Sequence, residues 1–131
     1  MFLAPPRAVP PPGSFGELPI LHTTTQAYQS WHRLLPHVPR FSRHTLGEKI
    51  DNLFLELLEL LLRARYTARE QKVGVITAAS AKLDTLKYLL QVAWQLKLIE
   101  TRQYEHVSAP LVEVGKMLGG WHRQANQNLR R

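Results

Sequence analysis

Apolar positions after about residue 23 recur at helical rather than strand spacing, and nothing alternates with period two for long, which predicts an all-α chain. A first helix follows one of Thr23, Thr24 or Thr25 as N-cap and carries Ala27, Tyr28, Trp31, Leu34 and Leu35. Pro36 and Pro39 end it, because the residue before a proline is pushed out of the helical region. A second helix runs from Thr45, where Thr45 and Glu48 have capping-box spacing. Thr67 and Glu70 repeat that spacing and mark where the second helix gives way to a third, with Gly74 the strongest breaker nearby. The third helix keeps Ile76, Ala79, Leu83, Leu86, Leu90 and Ala93 on one stripe, with Tyr88, Val92 and Trp94 partly off it. The fourth, opened by Thr101, aligns Tyr104, Val107, Leu111, Val114, Leu118 and Trp121. Pro110 falls inside it and predicts either a kink or a restart near Ser108, since its ring crowds the preceding turn and it has no N–H to donate. Gly119 and Gly120 weaken the helix toward its end.

Four helices with short connections pack most simply as an antiparallel up-down-up-down bundle. The expected organisation is a Pro-rich disordered arm over residues 1–22, a bundle domain over 23–123 and a basic polar tail over 124–131. Within the bundle the second helix stands out. At about 100° per residue, Leu46, Ile50, Leu53, Leu57, Leu60 and Leu61 share a face. Phe54, Leu55, Leu58 and Leu62 widen it to an arc of roughly 220°, against the stripe of about 100° that an ordinary amphipathic helix shows. The surplus, Phe54, Leu55, Leu58 and Leu62, is the expected interface with further copies of the chain, so the bundle is expected to be oligomeric.

Charge adds a second expectation. Lys and Arg number 17 against 10 Asp and Glu, a net charge of +7. Such an excess on a small chain is the footprint of a phosphate-backbone binder. The basic side chains cluster at Arg63, Arg65, Arg69 and Lys72, flank the other end of the second helix at Arg40, Arg43 and Lys49, and continue along the third at Lys82 and Lys87. No aromatic platform interleaves them, so the grip expected is sequence-independent and salt-sensitive. His32, His37 and His44 lie with Arg33, Arg40 and Arg43 around the first connection and would add charge at lower pH.

The chemistry of catalysis is missing. The chain has no cysteine, which excludes disulfides and thiolate chemistry and fits a cytoplasmic protein. No Glu precedes a His by three positions, as di-iron bundles require, and no two His stand at i, i+4. Glu56 and Glu59 fall on the polar arc of the second helix. With no nucleophile elbow and no phosphate-binding glycine loop, neither an enzyme nor a bound cofactor or metal is expected. No run is long enough to span a membrane, and the prolines interrupt any signal-peptide core.

Several strings resemble one family. Phe41-Ser42-Arg43-His44-Thr45-Leu46-Gly47-Glu48-Lys49-Ile50 is similar to the start of the second helix in the Avd (accessory variability determinant) proteins of diversity-generating retroelements. Tyr104-Glu105-His106 and Val114-Gly115-Lys116-Met117-Leu118-Gly119-Gly120-Trp121 resemble that family's fourth helix and its Gly-Gly-Trp ending. The likeness covers roughly residues 25–123. It implies a basic homopentamer of four-helix bundles that binds RNA, DNA and the element's reverse transcriptase, and supports mutagenic cDNA synthesis (retrohoming) without catalysing it. The family's basic surface maps onto Arg40, Arg43, Lys49, Arg63, Arg65, Arg69, Lys72, Lys82 and Lys87. Pro110 and the proline-rich arm depart from the family pattern. The four-helix-bundle proteins encoded in ribosomal-RNA intervening sequences share the start motif but match the last helix less well. They offer the alternative of a protein-interaction module with no nucleic-acid role.

Overall fold

The computed structural model describes residues 18–130, all of them helical or in short connections, with no strand among them. The order is α1 (Pro19–Leu34), a 3-10 turn (Leu35–His37), a single turn α2 (Arg40–Ser42), a π-helical turn (Arg43–Gly47), α3 (Glu48–Tyr66), α4 (Arg69–Gln95) and α5 (Thr101–Leu129). The four long helices form a bundle in which α1 packs on α3 and α5, and α4 packs on α3 and α5. The stripes expected for the third and fourth helices are its core: Ile76, Leu83, Leu86 and Leu90 on α4 are buried against Val107, Leu111, Val114 and Leu118 on α5.

Helix ends depart from the sequence expectation, for local reasons. The first helix starts at Pro19, ahead of all three expected caps, Thr23, Thr24 and Thr25, and so inside the expected arm of residues 1–22. Proline suits this first position because its N–H is not needed there and its φ is already helical. Thr24 is buried one turn inside, its hydroxyl donating to the Ile20 carbonyl at 2.7 Å. The rest of the expected arm, residues 1–17, lies outside the described residues. At the other end α5 continues to Leu129, with Ala125 buried, where a frayed tail is expected from residue 124.

Thr45 does not cap the second helix. The helical path begins at Arg40, and Thr45 sits in the π-turn, its hydroxyl donating back to the carbonyls of Phe41 and Ser42 at 3.2 and 3.3 Å. Gly47 in that turn lets the Leu35 side chain approach to 3.1 Å of where a Cβ would stand. The boundary at Thr67 is as expected, but the hydroxyl donates to the Arg63 carbonyl at 2.7 Å instead of capping α4. At α5 the cap is Glu100. Its carboxylate accepts from the Gln103 amide while its own N–H donates to Gln103 Oε1 at 2.8 Å, and Thr101 accepts from Trp94 Nε1 at 2.9 Å. Helix α5 passes through Pro110 without restarting.

The surplus apolar arc is narrower than expected. Phe54 is completely buried, its ring 5.5 Å from Tyr28 and 6.5 Å from Trp31 on α1. It is a core residue and is removed from the expected interface, because α1 lies over that edge of α3 and covers it. Leu55 remains 40% exposed, and Leu58 and Leu62 are half-buried.

Candidate nucleic-acid interface

Seven-residue spacing on an α-helix returns almost to the same face after two turns. On α3 it places Lys49, Glu56 and Arg63 in one row, about 21 Å from end to end at 1.5 Å per residue. The Lys82 ammonium, from α4, donates to Glu56 Oε2 at 2.7 Å, so the row runs along the α3–α4 seam. Lys82 first, and Lys49 behind it, hold the Glu56 carboxyl below the usual carboxylate range, with partial burial working the other way. The seam therefore carries Lys82 and Lys49 beside the Glu56 carboxylate, with Arg63 about two turns further along the row. Lys49 and Arg63 are exposed and make no ion pair among the described residues.

The remaining expected cations divide. Arg63, Arg65, Arg69 and Lys72 bracket the two-residue turn between α3 and α4, and Arg65 lies 5.7 Å above the exposed Tyr66 ring. Arg63 and Arg65 occupy the last turn of α3, where positive charge also complements the helix C-terminus. Lys87 is exposed on α4 but five residues past Lys82, and so turned about 140° from the seam. Arg40 is exposed at the start of α2. Arg43 serves the fold: its guanidinium donates to the Val38 carbonyl at 3.1 and 3.2 Å and to the Pro36 carbonyl at 3.1 Å. It holds the α1–α2 connection together, and these bonds engage Nε and Nη2, leaving Nη1 as the end of the guanidinium still open to another acceptor.

The expected interface leucines meet in one place. Leu55, Leu58 and Leu62 line a groove of about 470 Å³ with Leu21 of α1, rimmed by His22, Thr25 and Glu59. Among the described residues no three His, Asp or Glu are placed to share a metal ion, and no helix is long and apolar enough to cross a membrane.

A family model described as bAvd-like matches residues 20–125. The chain belongs to the bAvd-like family. The match spans all four long helices nearly end to end and agrees with the resemblance to Avd proteins of diversity-generating retroelements. It makes the chain an accessory protein of the Avd type, from a family not known for catalysis. A comparison with curated proteins returned no match.

One feature of this bAvd-like chain escaped the sequence reading. Arg33 near the end of α1 and His37 in the 3-10 turn after it are four residues apart, and Arg102 and His106 are four apart at the start of α5. The bundle sets the two pairs across from each other, and all four line one groove between α1 and α5. The paired Arg-x-x-x-His spacing was visible in the sequence. That the two pairs face one another depends on which helices are neighbours.

Proposed function

We propose that this chain is a non-catalytic, nucleic-acid-binding adaptor of a diversity-generating retroelement. Its four helices run antiparallel, up-down-up-down, as their short connections favour. Copies associate, and the assembly holds template RNA or DNA together with the reverse transcriptase in support of mutagenic cDNA synthesis. The observation that carries the reading is the α3–α4 seam, where Lys49 and Lys82 flank Glu56 and the exposed Arg63 continues the row, in a chain of net charge +7. Long cationic side chains in a row contact phosphates without reading bases. The leucine groove supports association: Leu55, Leu58 and Leu62 leave apolar surface that a second copy would cover. The number five and the reverse transcriptase as partner follow from the family resemblance, and a cytoplasmic location from the lack of cysteine.

Fluorescence anisotropy with labelled single-stranded RNA and DNA tests the reading. The wild-type chain binds at low salt, and affinity falls steeply as salt rises. Charge reversal at Lys49 and Arg63 weakens binding at least tenfold while far-UV circular dichroism stays unchanged. Absence of binding at low salt, or binding indifferent to the double reversal, overturns the seam as the phosphate grip. The interaction-module alternative draws on the exposed Phe41, 85% accessible, and Tyr66, 64% accessible. It predicts capture of the reverse transcriptase that survives both the reversal and nuclease treatment.

A further inference from the structure

The geometry points to a second phosphodiester-binding track, in the groove between α1 and α5, that takes one single strand of nucleic acid. This inference rests on the nucleic-acid reading above but assigns a different face of the bundle. The α3–α4 seam and the α1–α5 groove occupy opposite sides, because α1 packs on α3 and α5 while α4 packs on the same two helices.

Two adjoining cavities, of about 610 and 390 Å³, share Ser30, Arg33, Arg102 and His106 and so form one continuous trough. Arg33 contributes a guanidinium from one wall and Arg102 from the other. Both are exposed, and neither makes an ion pair or a hydrogen bond to another described residue. They differ in this from Arg43, which is tied to loop carbonyls, and from Lys82, which is tied to Glu56. A planar guanidinium offers a fork of N–H donors that matches two oxygens of one phosphate. Gln26, Gln29 and Ser30 line the α1 wall and add neutral donors of the kind that fix a backbone in register. His37 and His106 extend the polar lining on the two walls.

The trough selects the form of the ligand. The trough is an open surface groove along the line where α1 and α5 pack, so an extended strand can lie along it, whereas a duplex would rest on its rims. No Phe, Tyr or Trp is among the described residues that line the trough, so it lacks the large stacking platform on which sequence-tolerant single-strand binders rely and grips mainly through phosphates. Glu105 is the one carboxylate among the described residues on its lining. It opposes a phosphate and supplies a control of the opposite sign.

The test is salt-dependent anisotropy on the full-length chain, with labelled single-stranded RNA and DNA of one sequence. The variants are Arg33→Gln with Arg102→Gln, Glu105→Gln, and Lys49→Glu with Arg63→Glu. The double arginine variant should bind about tenfold more weakly. Its plot of log affinity against log salt should be shallower by about 1.4, two lost phosphate contacts at about 0.7 each for a single strand. Glu105→Gln should bind about two- to threefold more tightly, which a purely structural role for the groove would not produce. An effect with either strand supports the track and identifies which it takes. If the wild type binds and the seam variant loses binding, while the arginine and Glu105 variants stay within twofold on both strands, this inference is overturned and the nucleic-acid reading stands. A wild type that binds neither strand overturns both.

Discussion

Replacing Pro110 with alanine should stabilise the protein. Pro110 lies well inside α5, with helix on both sides, and its missing N–H leaves the His106 carbonyl without the donor that any other residue would provide. Proline in a helix interior is less favourable than alanine by about 3 kcal/mol. Two effects reduce the gain. Alanine loosens the unfolded chain, at about 0.4–1 kcal/mol. The half-buried ring also gives up apolar contact along the α1–α5 groove, worth about 1 kcal/mol at about 0.8 per buried methylene. A net gain of about 1–2 kcal/mol remains. Urea titration followed by far-UV circular dichroism should show the midpoint rising by about 0.5–1 M with the slope unchanged. The melting temperature should rise by about 4–8 °C. Protein concentration must be held fixed, since association of copies would itself shift apparent stability. A midpoint that falls or does not move refutes the reasoning, because it would mean that the proline-shaped helix packs better than a regular one.

Phe54→Ala should cost about 3–5 kcal/mol in urea titration, the penalty for emptying a buried aromatic site, and a loss under 1 kcal/mol would contradict its place in the core. Leu58→Asp should leave the far-UV spectrum intact while light scattering reports a smaller particle than wild type; an unchanged mass would rule out the leucine groove as the contact between copies. Lys97 ends α4 with φ of 60°, a left-handed position usually filled by glycine, so Lys97→Gly should raise the urea midpoint by the equivalent of a few tenths to about 1 kcal/mol, and a fall would contradict strain there. Glu56 has a lowered pKa, so its contribution is present above the ordinary carboxylate range and disappears as pH falls through the lowered value. Because the Glu56 and Lys82 side chains are 45% and 39% accessible, screening limits the loss in Glu56→Gln to under about 1 kcal/mol near neutral pH; stability curves against pH that fail to converge in acid would count against the pairing.

Periodicity made the interior legible and left the helix ends obscure. The stripes on α4 and α5 are buried as their spacing predicts, because burial follows from which face a residue occupies, except that Tyr104 and Trp121 at the ends of the α5 stripe are half-buried. Capping depends on a few hydrogen bonds that many Ser, Thr and Glu positions could make. Thr45 and Thr67 have capping-box spacing and Thr101 stands where a cap is expected, yet the first two donate to carbonyls behind them and the third accepts from Trp94. Phe54 shows a limit in packing as well. At about 100° per residue it stands about 20° from Leu61, inside the apolar arc, and the rings of Tyr28 and Trp31 on α1 show that the part of the arc beside Leu61 is core and not surplus. Among the cations, sequence gave the charge but not its partners, so Arg43 and Arg63 looked equivalent until the first proved to be holding the loop at Val38.

Helix α1 then explains how association and nucleic-acid contact could coexist. One side of it, through Leu21, closes the leucine groove with α3, and another, through Arg33, forms the basic trough with α5. If copies meet through the first, the second is not consumed by the contact. The α3–α4 seam also stays outside the leucine groove, since Lys49, Glu56 and Arg63 are turned by about 100° or more from Leu58 and Leu62 on α3. Each added copy would therefore bring both of its phosphate-facing surfaces to the assembly. Two weak grips on one strand gain from effective concentration far more than from any new contact, provided the geometry lets both engage. If copies join through the leucine groove, the apolar surplus on α3 and the excess of positive charge address a single problem: each subunit's charge is spread over separate faces, and a contact that buries none of those cations would concentrate it.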